Sequence, residues 1–175
     1  MSEYFDHSYT ASSKGSSRDL STVFHLCGIK LTIKSYEGRI WLHFNSTYSF
    51  DQRLSLSLEE FYSIFGRLCE IRYIESRVIQ NESEDSTIQL TKYFTITIVK
   101  LKENQHISYI FEKSPYKNSV NKNKKSLELD QKQFMELIHH QSEILKFTEF
   151  LENRNQIENR NKIYSSVSQN NDMQY

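Results

Sequence analysis

The residues best suited to chemistry in this chain are cations and aromatic rings at alternate positions. Arg39, Trp41 and His43 alternate with apolar residues, and Lys30 and Lys34 do the same in the stretch before them. Successive side chains of a strand point to opposite faces, so these five lie on the face away from the core. A base stacked on an aromatic ring contributes about 1–3 kcal/mol, and cations bind phosphates with release of counterions. The pattern predicts a surface for single-stranded nucleic acid.

Trp41 also allows a different interpretation, because aromatic residues are enriched at protein interfaces. In this alternative its ring packs against another part of the chain or against a second chain. The protein is then a structural or interaction module, a subunit of a larger complex without nucleic-acid binding. The net charge of zero, from 22 basic and 22 acidic residues, favours this alternative, since nucleic-acid-binding domains are usually basic.

A lysine-rich stretch between Ile88 and Lys125 forms a second candidate region, with eight lysines and only two glutamates. Within this stretch, the loop from Lys113 to Lys125 is basic and contains one aromatic residue, Tyr116, which suits closure over a phosphate backbone. The alternative is a loop that its lysines keep solvated. The candidate contacts in the second half of the chain are Lys100, Lys102, His106, Lys113, Tyr116, Lys117, Lys122, Lys124 and Lys125.

The chain has no motif that indicates an enzyme or a metal site. A Gly-rich phosphate loop, Gly-x-Ser-x-Gly and His-Glu-x-x-His are all missing from the sequence. His139 and His140 are adjacent, so on a helix they point about 100° apart. His25 and Cys27 have no second pair to complete a metal site. We expect no enzymatic activity, no metal and no cofactor.

The elements that position these residues follow from local patterns. Alternation predicts a strand over 23–35, a tight turn at 36–38, a second strand over 39–45 and a short third strand over 54–57. Ser57 and Glu60 form a capping box for a helix that begins there. The pattern leaves open whether 71–80 continues this helix or starts a strand.

The second half repeats this order, with strands over 93–101, 106–111 and 127–129 and a helix capped by Asp130. At an offset of 67, Ile40 and Phe44 match Ile107 and Phe111; at an offset of 73, Leu54, Leu56 and Phe61 match Leu127, Leu129 and Phe134. Such spacing indicates a duplicated unit, although chance similarity between two amphipathic stretches is the alternative. We predict an α+β fold of two tandem antiparallel β-sheet-plus-helix repeats that form an intramolecular pseudo-dimer.

The expected organisation has five parts. They are a flexible N-terminal arm (1–20), the first repeat (21–80), an acidic linker (81–86), the second repeat (87–152) and a disordered Asn/Gln-rich tail (153–175). No stretch approaches the roughly 18 apolar residues of a membrane span, and no secretory signal is visible. Two cysteines make a poor disulfide framework. We therefore expect an intracellular protein with no membrane contact.

Two stretches, 31–44 and 54–61, together resemble the DNA-binding domain of the positive cofactor four family of transcriptional coactivators. They share with it an alternating strand, a turn with an aromatic residue and glycine, a second alternating strand, and a short strand that ends at a helix start. The resemblance covers roughly 23–75 and recurs more weakly over 88–150. It implies a curved antiparallel sheet backed by a helix, with two such units holding single-stranded DNA.

The resemblance also implies site residues and partners. The turn aromatic of the family falls on Tyr36, its turn cation on Arg39, the cation before the turn on Lys34, and the loop aromatic near Tyr48. Departures are Glu37 and Asn45 in place of basic residues, and in the second repeat Lys102 or Glu103 in place of the aromatic and His106 in place of Arg39. The expected partners are single-stranded DNA, or RNA, and other transcription or replication proteins. We expect a monomeric pseudo-dimer or a homo-oligomer, in the nucleus or, for a viral protein, at the site of viral replication.

Overall fold

Each half of the chain folds into four antiparallel strands followed by two helices. The computed structural model describes residues 20–49, 51–80, 85–101, 105–115 and 124–171. The first half contains β1 (Ser21–Leu26), β2 (Ile29–Tyr36), β3 (Arg39–Ser46), β4 (Arg53–Ser57), α1 (Leu58–Gly66) and α2 (Leu68–Ile79). The second half contains β5 (Asp85–Thr91), β6 (Phe94–Lys100), β7 (Ile107–Lys113), β8 (Lys125–Asp130), α3 (Gln131–His139) and α4 (Gln141–Asn171).

The strands form two separate sheets in sequential order, β1-β2-β3-β4 (sheet one) and β5-β6-β7-β8 (sheet two), with every pair antiparallel. This confirms the predicted α+β fold of two tandem sheet-plus-helix repeats. Among the described residues, no helix is long and apolar enough to cross a membrane.

The two repeats match in detail at the offset of 73. Ser57 Oγ accepts from the Glu60 N–H and the Glu60 carboxylate accepts from the Ser57 N–H; Asp130 and Gln133 form the same capping box. Both helical segments are also interrupted at equivalent residues, Arg67 and His140. Helix caps and helix breaks depend on the local sequence, so their repetition shows that equivalent local sequences set the helix ends in both halves.

The helices are exchanged between the repeats. α2 packs on β5 and β6 of sheet two, and α4 packs on β3 of sheet one; α1 also touches β5, and α3 also touches β1. The inner faces of both sheets therefore share one apolar core, in which Phe44 and Leu56 meet Phe111 and Leu129. Each repeat supplies helices that cover apolar surface of the other.

Polar contacts also cross between the repeats. The Tyr109 hydroxyl donates to Glu75 Oε1 at 2.6 Å, and Glu75 also accepts from Arg72 at 2.7 Å and from Gln131 at 3.1 Å. Burial, reinforced by the Glu75 carboxylate, raises the pKa of Tyr109, so this phenol stays protonated and can donate. At the position equivalent to Glu75, the Thr148 hydroxyl is 3.1 Å from that of Tyr62.

The predicted single strand over 23–35 is wrong, because the chain turns at Cys27 and Gly28. Both residues have positive φ, 48° and 93°, as a two-residue hairpin turn with a right-handed twist requires. A Cβ on Gly28 would lie 2.2 Å from Tyr48 Cε2, so the ring of Tyr48 rests directly against this turn. The result is four strands in the repeat, where three were predicted.

The ends of three predicted segments differ from, or complete, the sequence-based expectation. Asp85 and Ser86, assigned to the acidic linker, begin β5; residues 81–84 lie outside the described part of the chain. The ambiguous stretch 71–80 is helical up to Ile79. The expected disordered tail is wrong for 153–171, which belong to α4. The arm, up to residue 19, and the last four residues lie outside the described residues.

Candidate nucleic-acid interface

The outer face of sheet one gathers most of the predicted site residues of the first repeat. We name it the basic face; its members are Lys30, Lys34, Arg39, Trp41, His43 and Arg53. The neighbouring positions on these strands, including Leu31, Ile33, Leu42 and Phe44, are buried in the core. Because β2 and β3 pair in register, Lys34 lies opposite Trp41 and Tyr36 opposite Arg39. Such cross-strand partners are about 4.5–5.5 Å apart at Cβ.

Three cations of the basic face are exposed and open to a ligand. Among the described residues, none forms an ion pair or hydrogen bond with Lys30, Lys34 or Arg39. The four strands of sheet one contain no Asp or Glu. The positive potential of this face is therefore not neutralised by acidic neighbours in its own sheet, although the whole chain has a formal net charge of zero.

Arg53 belongs to the same face, although it was not among the predicted contact residues. It is exposed at the start of β4 and pairs with Asn45, which pairs in turn with Lys30. The sequence pattern places it there, because Arg53 and Ser55 alternate with the buried Leu54 and Leu56. The same alternation that predicts the strand therefore also predicts which face Arg53 occupies.

Trp41 is half-buried, which differs from the predicted open stacking platform. The Lys113 ammonium, from the second repeat, lies 5.8 Å from the centroid of its ring. Ser57 is its partner on β4. Trp41 therefore keeps exposed surface on the basic face and also contributes to the contact between the repeats.

Lys113, predicted to contact phosphate, is paired inside the protein. Its Nζ lies 2.7 Å from Glu60 Oε2 and donates to the Ser55 carbonyl at 3.1 Å. The two side chains are only 12% and 5% exposed. The reason is strand alternation: Lys113 follows the buried Phe111 on the core side of β7, so its stem is directed towards the first repeat.

His43 is a polar neutral group on the basic face. Its Nδ1 lies 2.7 Å from Ser55 Oγ, while Nε2 is buried and has no hydrogen-bond partner among the described residues. Burial lowers the pKa of His43, and the positive charges of Lys34 and Lys125 lower it further. The imidazole therefore adds no positive charge near neutral pH, but Lys125 is placed close to this face.

The other candidates are dispersed. Lys100 donates to the Ile79 carbonyl at 3.2 Å, and Lys124 pairs with Glu112 at 2.9 Å. His106 is exposed at the end of sheet two. Lys102, Tyr116, Lys117 and Lys122 lie outside the described residues.

Tyr36 and Tyr48 mark the two ends of the basic face. They are 56% and 85% exposed. Tyr36 ends β2, and Tyr48 lies against the turn that precedes it. A strand rises about 3.3 Å per residue, so the seven steps from Ile29 to Tyr36 separate these ends by about 23 Å. Trp41, Lys34 and Lys30 lie between them.

The outer face of sheet two has a different chemistry. Ser108 stands where repeat one has Trp41, and Glu128 stands where it has Ser55; these two residues bond to each other at 2.5 Å. Glu112 replaces Asn45, and Thr87 bonds Thr97 at 2.9 Å. The duplicated fold therefore carries cations and an aromatic ring on the outer face of only one of its two sheets.

Comparison with protein-family models, with curated proteins and with solved structures found no match. The resemblance to the positive cofactor four family rests on the residues quoted above.

Proposed function

We propose that this protein binds single-stranded nucleic acid on the basic face of sheet one. The observation that carries the proposal is the grouping of Lys30, Lys34 and Arg39, unpaired among the described residues, around a partly exposed Trp41 in a sheet without acidic residues. Cations without protein partners retain their ability to bind phosphates and release counterions. Aromatic surface beside them favours unpaired bases, whose faces are free to stack.

The spacing of the three aromatic residues supports a single strand as the ligand. Tyr48, Trp41 and Tyr36 are distributed along the face, with Lys30 and Lys34 between its ends. A single strand laid along β2 and β3 meets rings with cations beside them, since Trp41 is paired with Lys34 and Tyr36 with Arg39. The proposal extends to the process: a role in transcription or DNA replication, with DNA or RNA as ligand, in the nucleus or at a site of viral replication.

A protein-interaction module is the second candidate function. It is favoured by the half-buried state of Trp41 under Lys113 and by Asp85, Glu112 and Glu128 in the strands of sheet two. In this alternative the fold is kept as a scaffold within a larger complex, and Trp41 stabilises the junction of the repeats.

Fluorescence of Trp41, the single tryptophan of the chain, distinguishes the two functions. We expect a single-stranded oligonucleotide to change its emission and a duplex of the same sequence to do so less. Trp41→Ala should weaken binding by about 1–3 kcal/mol. Emission that no oligonucleotide changes, with a Trp41→Ala protein that only loses thermal stability, would refute nucleic-acid binding at this face and favour the interaction module.

A further inference from the structure

Helix α4 runs past one end of the basic face and is hydrogen-bonded there through Asn155. Asn155 accepts from the Ser35 hydroxyl at 3.0 Å and donates to the Gly38 carbonyl at 3.2 Å. These bonds hold the helix against the turn between β2 and β3. They leave a groove between α4 and the strand ends that carry Arg39 and Trp41.

This groove, which we name the base groove, has a volume of about 590 Å³. Its lining includes Arg39, Trp41, Glu59, Glu152, Gln156 and Asn159. The volume lies within the roughly 300–1,000 Å³ of small-molecule pockets. Residues 152, 156 and 159 follow the spacing of one helix side, so α4 presents them together.

The lining combines aromatic, cationic and acidic groups from three places. Trp41 and Arg39 come from β3 and belong to the basic face, Glu59 comes from the first turn of α1, and α4 contributes Glu152 and the amides Gln156 and Asn159. Within the described residues, neither carboxylate has an ion-pair partner. The two carboxylates accept hydrogen bonds and repel a phosphate.

A planar group that contacts an aromatic ring and donates hydrogen bonds fits this lining. Nucleobases are such groups, and carboxylates accept hydrogen bonds from the exocyclic amino group of cytosine. Uracil and thymine instead present a carbonyl oxygen at the same position, which a carboxylate repels. Single-strand recognition commonly reads splayed bases through their hydrogen-bonding edges.

We propose that the base groove holds one nucleobase splayed from a strand bound on the basic face, and that it selects bases bearing an amino group over uracil and thymine. This inference rests on the proposed function and adds to it a preference in base composition. The phosphates stay outside the groove, beside Lys34 and Arg39. Helix α4 thereby becomes part of the binding site.

The test compares decamers of deoxycytidine and deoxyuridine, which differ in the amino and carbonyl groups of the base, by titration of the full chain. We expect the cytidine decamer to bind about fivefold or more tightly. Glu59→Gln/Glu152→Gln should reduce this ratio to within about twofold. The control Asp85→Asn/Glu149→Gln, which removes two carboxylates outside the groove, should preserve it. The ratio of the two affinities is compared, and not each affinity alone, because the loss of negative charge raises the affinity for both decamers alike.

Two results would overturn the inference while leaving nucleic-acid binding in place. They are equal or reversed affinities for the two decamers, and a preference that Glu59→Gln/Glu152→Gln leaves unchanged. If neither decamer binds, both the proposed function and the base groove are refuted. Urea unfolding of the double variant establishes that a lost preference does not reflect a lost fold.

Discussion

Lys34 and Lys113 carry the same charge in opposite surroundings. Lys34 is exposed on the basic face, with no ion pair among the described residues. The Lys113 ammonium contacts the Glu60 carboxylate at 2.7 Å and lies 5.8 Å from the centroid of the Trp41 ring. We infer that Lys34 serves a ligand, whereas Lys113 joins the two repeats.

This difference predicts opposite effects of one substitution. Lys113→Met keeps most of the stem but leaves Glu60 buried without its cation, which should lower the free energy of unfolding by about 3–5 kcal/mol. Lys34→Met should change it by less than about 0.5 kcal/mol, as is usual at the surface, but weaken oligonucleotide binding. Urea unfolding and oligonucleotide titration of both variants check this. Equal effects of the two substitutions on stability would contradict the assignment.

His43 predicts a pH dependence of stability. Its pKa is lowered in the folded protein, so the unfolded chain binds more protons below about pH 6.5. The contribution of neutral His43 is therefore complete above that pH and is lost as the pH falls. The free energy of unfolding should decrease from pH 7.5 to 5.5 more steeply in wild type than in His43→Gln. A His43 ring signal that titrates above 6.5 in an NMR experiment would refute the predicted direction.

Among the helices and strands, those that depend on local sequence patterns were predicted, whereas contacts between distant parts of the chain were not. β3, β4 and both helix caps followed from alternation and from the Ser57 and Asp130 capping boxes. The turn at Cys27-Gly28 was missed although the sequence contains its signal. Buried residues fall on even positions up to Leu26 and on odd positions from Ile29, and such a change of phase requires a break in the strand.

The error at α4 and the half-buried state of Trp41 have a different cause. The Asn- and Gln-rich composition after 152 predicts disorder, but Asn155 bonds Ser35 and Gly38, more than a hundred residues earlier. Alternation placed Trp41 on the correct face, but its cover, Lys113, comes from the other repeat. Contacts of this kind depend on the packing of the halves, which no local pattern encodes.

The exchange of helices predicts that neither repeat folds alone. α2 covers sheet two and α4 covers sheet one, so a separated repeat exposes the apolar inner face of its sheet. Chains 1–82 and 83–175, expressed separately, should each lack a cooperative unfolding transition and should regain one when mixed. Circular dichroism during urea unfolding measures this. A cooperative transition of similar midpoint in either isolated chain would show that the shared core is not needed.

At the scale of the whole molecule, the charges are separated although the sum is zero. The strands of sheet one carry Lys30, Lys34, Arg39 and Arg53 without an acidic residue, whereas those of sheet two carry acidic residues as well as lysines. A duplicated fold with two different outer faces explains how a neutral chain offers a basic surface. Binding at that surface should have a salt dependence set by its own cations and not by the net charge.

The most direct test of nucleic-acid binding on the basic face is the salt dependence of single-stranded oligonucleotide affinity. Lys30→Ala/Lys34→Ala/Arg39→Ala removes three cations of the face, and Lys92→Ala/Lys132→Ala/Lys146→Ala removes three exposed cations elsewhere. Each lost phosphate contact reduces the slope of log affinity against log salt by about 0.7 on single strands. The first variant should therefore lose about 2 from the slope, and the second should keep the wild-type slope. Equal slopes in all three proteins, or a wild type that binds no oligonucleotide, would contradict the account.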